Sequence, residues 1–260
     1  MTPDPNSPMP RRRSVTRRRF ITGIATAASG TGALLLANRY GLVPPDHTGL
    51  FGVGETVTYA AHRALLAAQP LAREFDRRAI STNFPAINTT LPEVESYRRD
   101  MASGFCDWRL TVEGLVAHPG ELSLQQLRAF PSRTQITQHV CEQGWSAIAE
   151  WTGVQLSTVL REVGILPQAK YVFFTTVDDW WDSLDMADAL HPQTLLAYGM
   201  NGRDLPVPHG APVRLRVERQ LGYKNLKYLT GITVTDSAKD WGEGLGAQGA
   251  EHGYAWYAGI

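Results

Sequence analysis

Apolar positions in "DWRLTVEGLV" recur at every second residue. Trp108, Leu110 and Val112 alternate with polar neighbours, the period of a half-buried strand, and Gly114 supplies a turn at its end. Ser123 and Gln126 have capping-box spacing, so "LSLQQLRAF" opens a short helix that ends before Pro131. "TQITQHV" predicts a second strand, and "VQLSTVLREVG" a helix stopped by Gly164. "KYVFFTTV" predicts a third strand, and "DMADALH" a short helix before Pro192. In "APVRLRVE" the alternation sends Val213, Leu215 and Val217 to one face and Arg214, Arg216 and Glu218 to the other, and "YLTGITVTD" supplies a closing strand. Strands mixed irregularly with short helices predict an α+β fold rather than a doubly wound sheet. Upstream, an Ala- and Leu-rich pattern over residues 55 to about 75 predicts a helix interrupted at Pro70, which lacks an amide proton and clashes with the preceding turn. Residues 38–54 are rich in Gly and Pro and read as a linker. The Gly- and aromatic-rich tail after Lys239 shows no such pattern.

The 260 residues suffice for one substantial domain with a large core, and 43% apolar content is ordinary for a globular protein. A formal charge of zero hides an asymmetry. Residues 1–19 hold six arginines against Asp4, and the remaining body has 19 basic and 24 acidic residues. A mildly acidic body excludes a nucleic-acid partner, which needs a concentrated basic face. The arginines Arg17, Arg18 and Arg19 precede an apolar stretch at residues 20–37, the pattern of a twin-arginine export signal. Its eighteen residues approach the ~20 that span a bilayer, so the leader is read as a signal or an anchor. The expected location is periplasmic or otherwise extracytoplasmic.

Two cysteines, Cys106 and Cys141, are present. Cys141 lies in "TQITQHVCEQGWSAIAEWTG", some seventy residues before "MNGRDLPVPHGAPVRLRVERQLGYKNLKYLTGITVTD", which is dense in His, Arg and Lys. A thiolate is a soft ligand for a transition metal. Cationic side chains converging near glycines suit a phosphate-bearing tail. Together they point to a metal held on a phosphorylated organic carrier. The pattern lacks the paired ligands of a four-residue zinc site, a dinucleotide glycine fingerprint and a haem attachment motif. Electrons must therefore be exchanged with another protein.

The words "CEQGWS", "EWTGVQL", "LAYGMNGRDLPVPHGAPVRL" and "GYKNLKYLTGITV" resemble, in order, the metal-ligand turn, cofactor loop and closing strand of the sulfite oxidase family, over about residues 80 to 236. The resemblance implies an α+β, sulfite oxidase-type molybdopterin-binding domain of mixed sheets with short helices. It places that domain at residues 80–260, after a helical segment at 55–79. It implies Mo-molybdopterin as cofactor and Cys141 as the sole protein ligand to molybdenum. His209, Arg214 and Lys227 would hold the phosphate and pterin, with Lys224 as the alternative to Lys227. Asn83, in "STNFPAIN", would reach the cofactor from the other side, and Thr176 would contact the pterin. His139 shares a strand face with Cys141.

Glu142, Gln143, Gly144, Trp145 and Ser146 replace the arginines that follow the cysteine in sulfite oxidases, and they resemble the protein-methionine-sulfoxide reductase branch of the family. His209 instead matches the sulfite oxidases, and "DDWWDS" matches neither. The implied reaction is oxygen-atom or electron transfer that reduces a sulfoxide or similar S- or N-oxide. The alternatives are sulfite oxidation with a cytochrome acceptor and, in another class, an exported binding protein without activity. The implied partner is a membrane haem or quinone-linked subunit. A monomer is expected, because only about 24 residues follow Asp236 where sulfite oxidases carry a dimerisation sandwich of about a hundred.

Overall fold

The protein is seen in a computed structural model that describes residues 44–45, 49–67 and 71–260. The leader at residues 1–37 and most of the expected linker lie outside the described residues. Among the described residues, ten strands form two five-stranded sheets. In the first, the order is β2 (Gly120–Ser123), β1 (Arg109–Gly114), β10 (Leu229–Thr235), β5 (Tyr171–Thr176) and β6 (Trp181–Asp185). Only β1 and β10 run parallel, which places the last strand between two earlier ones. The second sheet runs β3 (Ser132–Val140), β4 (Ser146–Gln155), β7 (Leu195–Met200) and β8 (Arg203–Asp204), with β9 (Arg214–Arg216) also paired to β7. The fold is α+β, as the irregular mixture of patterns predicts.

The main core contains side chains from both sheets, including Leu110, Phe174 and Ile232 from the first and Val154, Leu196 and Leu215 from the second. Helix α2 (Glu95–Ala102) precedes β1, and two further short helices close the core. In α3 (Leu124–Ala129) Leu127 is buried, and the expected capping box is formed in full by Ser123 and Gln126. In α4 (Leu156–Glu162) Leu156, Val159 and Leu160 are buried.

Alternation did not reveal β4 or β7, and the physical reason is visible in their burial. Every residue of β7 is buried, so neither face carries the polar half of the pattern. The expected helix from Val154 begins two residues later, because Val154 and Gln155 complete β4. The strand face of Arg214 and Arg216 also departs from the usual alternation, since both charged side chains are buried with Leu215 between them.

The upstream helix, α1, spans Gly49–Ala67, so it starts inside the expected linker. The segment from Leu71 to Phe75 is not helical. Arg63 of α1 pairs with Asp185 and with Asp188, the latter at 2.8 Å, and Tyr59 donates to Asp185 at 2.7 Å. The C-terminal tail meets the same helix through Trp256 and Tyr257, which pack with Tyr59, Tyr171 and Phe173 in a second apolar cluster.

Candidate active site

Cys141 sits at the tip of the β3–β4 hairpin. The two strands stay in register from Ser132↔Val154 to Val140↔Ser146, leaving a five-residue turn. Cys141 N–H donates to Trp145 O at 2.9 Å, and Gly144 N–H donates back to Cys141 O at 3.1 Å. Gly144 takes φ +89°, a left-handed value that suits glycine and closes the turn. The thiol is 4% exposed and faces a cleft. It donates to Glu142 Oε2 at 3.5 Å. Burial raises its pKa, as does Glu142, while a hydrogen bond from the Gln143 backbone acts in the opposite direction. Metal binding must therefore displace the thiol proton.

The opposite wall is cationic. Arg214, on β9, is buried and donates to His209 O at 3.0 Å and Asn225 O at 2.8 Å. Its Nε is buried without a hydrogen-bond partner. Burial lowers the Arg214 pKa to about 9, with Arg216 adding to the effect. Lys227 Nζ donates to Ile87 O at 2.8 Å, Pro208 O at 3.3 Å and Thr89 O. Burial and Arg214 lower its pKa to about 8. Both cations hydrogen-bond to carbonyls rather than carboxylates, so each retains charge to offer an anion. Gly210 lets the His209 loop approach Lys227, because a Cβ there would stand 2.8 Å from Lys227 Cβ.

His209 lines the same cleft with Phe84 edge-on to its ring at 5.5 Å. Burial lowers its pKa to about 4, and Arg214 and Lys227 add to the shift. Thr176 lines the larger adjoining lobe, a cavity of about 660 Å³ that shares Glu142, Gly222, Tyr223 and Lys227 with the first. Its hydroxyl donates to Asp178 at 2.6 Å and accepts from Trp180 N–H at 3.0 Å. Lys224 is buried against Asp182 and under the Trp256 ring, so it does not face the cleft as an alternative to Lys227.

Asn83 differs from the expectation. It is exposed and stands outside the residues that line the cleft, whereas Phe84 and Asn88 of the same segment line it. Past Phe84 the chain runs without a turn to Asn88, which bends with φ +58°, a conformation asparagine tolerates better than most residues. Sequence reasoning also placed nothing in the C-terminal tail, yet His252 and Tyr254 line the larger lobe. The tail reaches the cleft because Trp256 and Tyr257 anchor it between α1 and β5, a contact with no local signature.

One thiol facing cations that, among the described residues, hydrogen-bond to carbonyls rather than carboxylates, with a buried guanidinium nitrogen unpaired, has the donor set for a metal on a phosphorylated organic cofactor. That defines a class of cofactor-dependent oxidoreductase. The family described as "Oxidoreductase molybdopterin binding domain" matches residues 98–241, and the chain belongs to it. It is similar to the putative protein-methionine-sulfoxide reductase subunit YedZ1 of Azospira oryzae, with 41% identity over 189 residues, 73% of this chain and 68% of that protein. The protein-methionine-sulfoxide reductase catalytic subunit MsrP of Xanthomonas axonopodis is 36% identical over 145 residues, 50% of this chain and 45% of that one. Among solved structures, the sulfane dehydrogenase SoxCD from Paracoccus pantotrophus aligns with a TM-score of 0.48 and 26% identity, over 52% of this chain and 40% of that chain. The chain thus spans about two thirds of the first relative and less than half of the second. It is a molybdenum-dependent oxidoreductase with Mo-molybdopterin as its cofactor.

Proposed function

We propose that the protein reduces a sulfoxide, or a similar S- or N-oxide, as the catalytic subunit of an exported enzyme. The observation that carries this reading is the Cys141 thiol beside Glu142, with no cation following it in the turn, opposite the cationic wall of Arg214 and Lys227. A carboxylate at the approach to the metal ligand disfavours a dianion such as sulfite and leaves neutral oxides as substrates. The names of the two reductase relatives support the same direction.

In this reading Cys141 holds molybdenum. Arg214 Nε and Lys227 neutralise the phosphate and orient the pterin, with His209 beside them and Thr176 at the far lobe. Bound Mo-molybdopterin supplies two-electron oxygen-atom chemistry. Phe84 and Trp145, with ring centroids 5.9 Å apart, exclude bulk water from the thiol side of the cleft. A membrane haem or quinone-linked subunit supplies electrons. Residues 1–37 serve as the twin-arginine signal or anchor, and residues 80–260 form the catalytic domain of a monomer.

The test begins with protein purified from its export compartment. Molybdenum and pterin near one each per chain, with turnover of sulfoxides in preference to sulfite, are expected. Well-folded protein free of both would overturn the reading. Cys141→Ser should retain pterin while losing activity and the thiolate charge-transfer absorption, and an unchanged spectrum would remove Cys141 from the metal.

A further inference from the structure

His139 lies two residues before Cys141 on β3, is 7% exposed, and lines the cleft on the thiol side. Arg216 decides which of its ring nitrogens carries the proton. A guanidinium can only donate, and Arg216 Nη1 stands 2.8 Å from His139 Nδ1, so Nδ1 accepts and Nε2 bears the hydrogen. Arg216 has no freedom to let go. Its Nε and Nη2 donate to Glu218 at 3.1 and 2.7 Å, and Gln135 donates to the same carboxylate at 3.0 Å, all of them buried. Among the described residues the hydrogen bond of His139 uses Nδ1 alone.

Gly222 faces the other nitrogen. A Cβ built on Gly222 would stand 2.8 Å from His139 Nε2 and 3.2 Å from Glu142 Oε2. Both groups therefore pack on the bare face of Gly222, a donor and a carboxylate no more than about 6 Å apart at the edge of the cleft they line with Cys141, the span that one bridging water oxygen covers with two ordinary hydrogen bonds. The thiol of Cys141 borders it, 3.5 Å from the same Glu142 oxygen. Nothing in the proposed cofactor cradle uses either group.

We propose that His139 and Glu142, packed on Gly222 beside Cys141, form a seat in the cleft in which His139 holds the oxygen of a neutral S-oxide or N-oxide and both groups hold the water it becomes. The inference rests on the reductase reading above. His139 Nε2–H donates to the substrate oxygen and fixes its direction relative to the metal ligand. Reduction takes the S-oxide, two protons and two electrons from the electron-donor subunit to sulfide and water. The S–O bond breaks, sulfur keeps the electron pair, and the oxygen leaves with both protons. Water, unlike the substrate oxygen, can donate to Glu142, so the seat fits both ends of the reaction. An oxyanion gains from His139 but meets the Glu142 carboxylate, so the same pair sets substrate class.

The experiment uses holoenzyme and three readouts: molybdenum and pterin per chain, kcat/KM for dimethyl sulfoxide, and binding of dimethyl sulfone followed in the thiolate charge-transfer absorption. His139→Phe should keep metal and pterin and lose about tenfold in both kcat/KM and sulfone affinity, as expected for one hydrogen bond. His139→Gln, which can donate from its amide nitrogen, should recover most of that loss. Gly222→Ala sets a methyl against His139 Nε2 and Glu142 Oε2, displacing the donor from the cleft while leaving the Arg216–Glu218 pair in place, and should lose as much as His139→Phe. Gln behaving no better than Phe, or Gly222→Ala matching wild type in sulfone affinity, would overturn the seat. If His139→Phe fails to fold, Gly222→Ala decides alone. Wild-type protein that binds the sulfone in a Gly222-dependent way yet reduces no sulfoxide would sink the reductase reading and leave the seat standing.

Discussion

Arg214 donates to two backbone carbonyls and keeps a third nitrogen buried and unpaired, a costly arrangement unless an anion completes it. Arg214→Met should therefore stabilise the cofactor-free chain or leave it unchanged while abolishing pterin retention, measured as pterin released per chain after gel filtration. The neighbouring His209 gives a pH dependence with a definite sign. Its folded pKa of about 4 lies below the ordinary 6.5, so the unfolded chain binds the extra proton first. Stability is full above pH 6.5 and is lost as pH falls through the window down to about 4. Urea midpoints of cofactor-free protein should drop between pH 7 and 4.5. His209→Asn should shallow that drop without removing it, because burial also lowers the pKa of His139. Sequence alone brought Cys141, His209, Arg214 and Lys227 forward, since each sits in a dense local word. It could not fix the proton on His139, because Arg216 is 77 residues away.

At the scale of elements, the hairpin β3–β4 and the strand β7 paired to β4 in the same sheet hold the thiol in place. Gly153 lies where β4 bulges against β7, and a Cβ there would stand 2.2 Å from Leu196 O. Gly153→Ala should destabilise by about 1–3 kcal/mol or more, since backbone and not a flexible side chain must yield. A calorimetric Tm within a degree of wild type would show that the bulge relaxes freely. Strands with one polar face, β1 and β3, were legible from period 2, and α3 from its capping box. The wholly buried β7 was not, because burial on both faces erases the alternation that periodicity detects.

At the scale of the molecule, α1 and the C-terminal tail clasp the α+β body from one side. Arg63 reaches Asp185 and Asp188 across more than 120 residues of sequence, and Trp256 donates to Ser183 Oγ at 2.9 Å. Among the described residues no helix is long and apolar enough to cross a membrane. The apolar stretch at residues 20–37 lies outside them, and its role is an export prediction. Replacing Arg17, Arg18 and Arg19 with Lys should trap the protein in the cytoplasm, read by cell fractionation, and undiminished export would point to the general secretory route. By itself the sequence determined the fold class, the thiol and the cationic segment, because short-range periods and local words are written in neighbouring residues. Only the tertiary structure decided that Asn88 and Phe84, not Asn83, line the cleft, that Lys224 is spent on Asp182, and that the tail supplies His252 and Tyr254. Those outcomes depend on contacts between residues far apart in the chain, and no local spacing encodes which of several candidate side chains a fold turns inward.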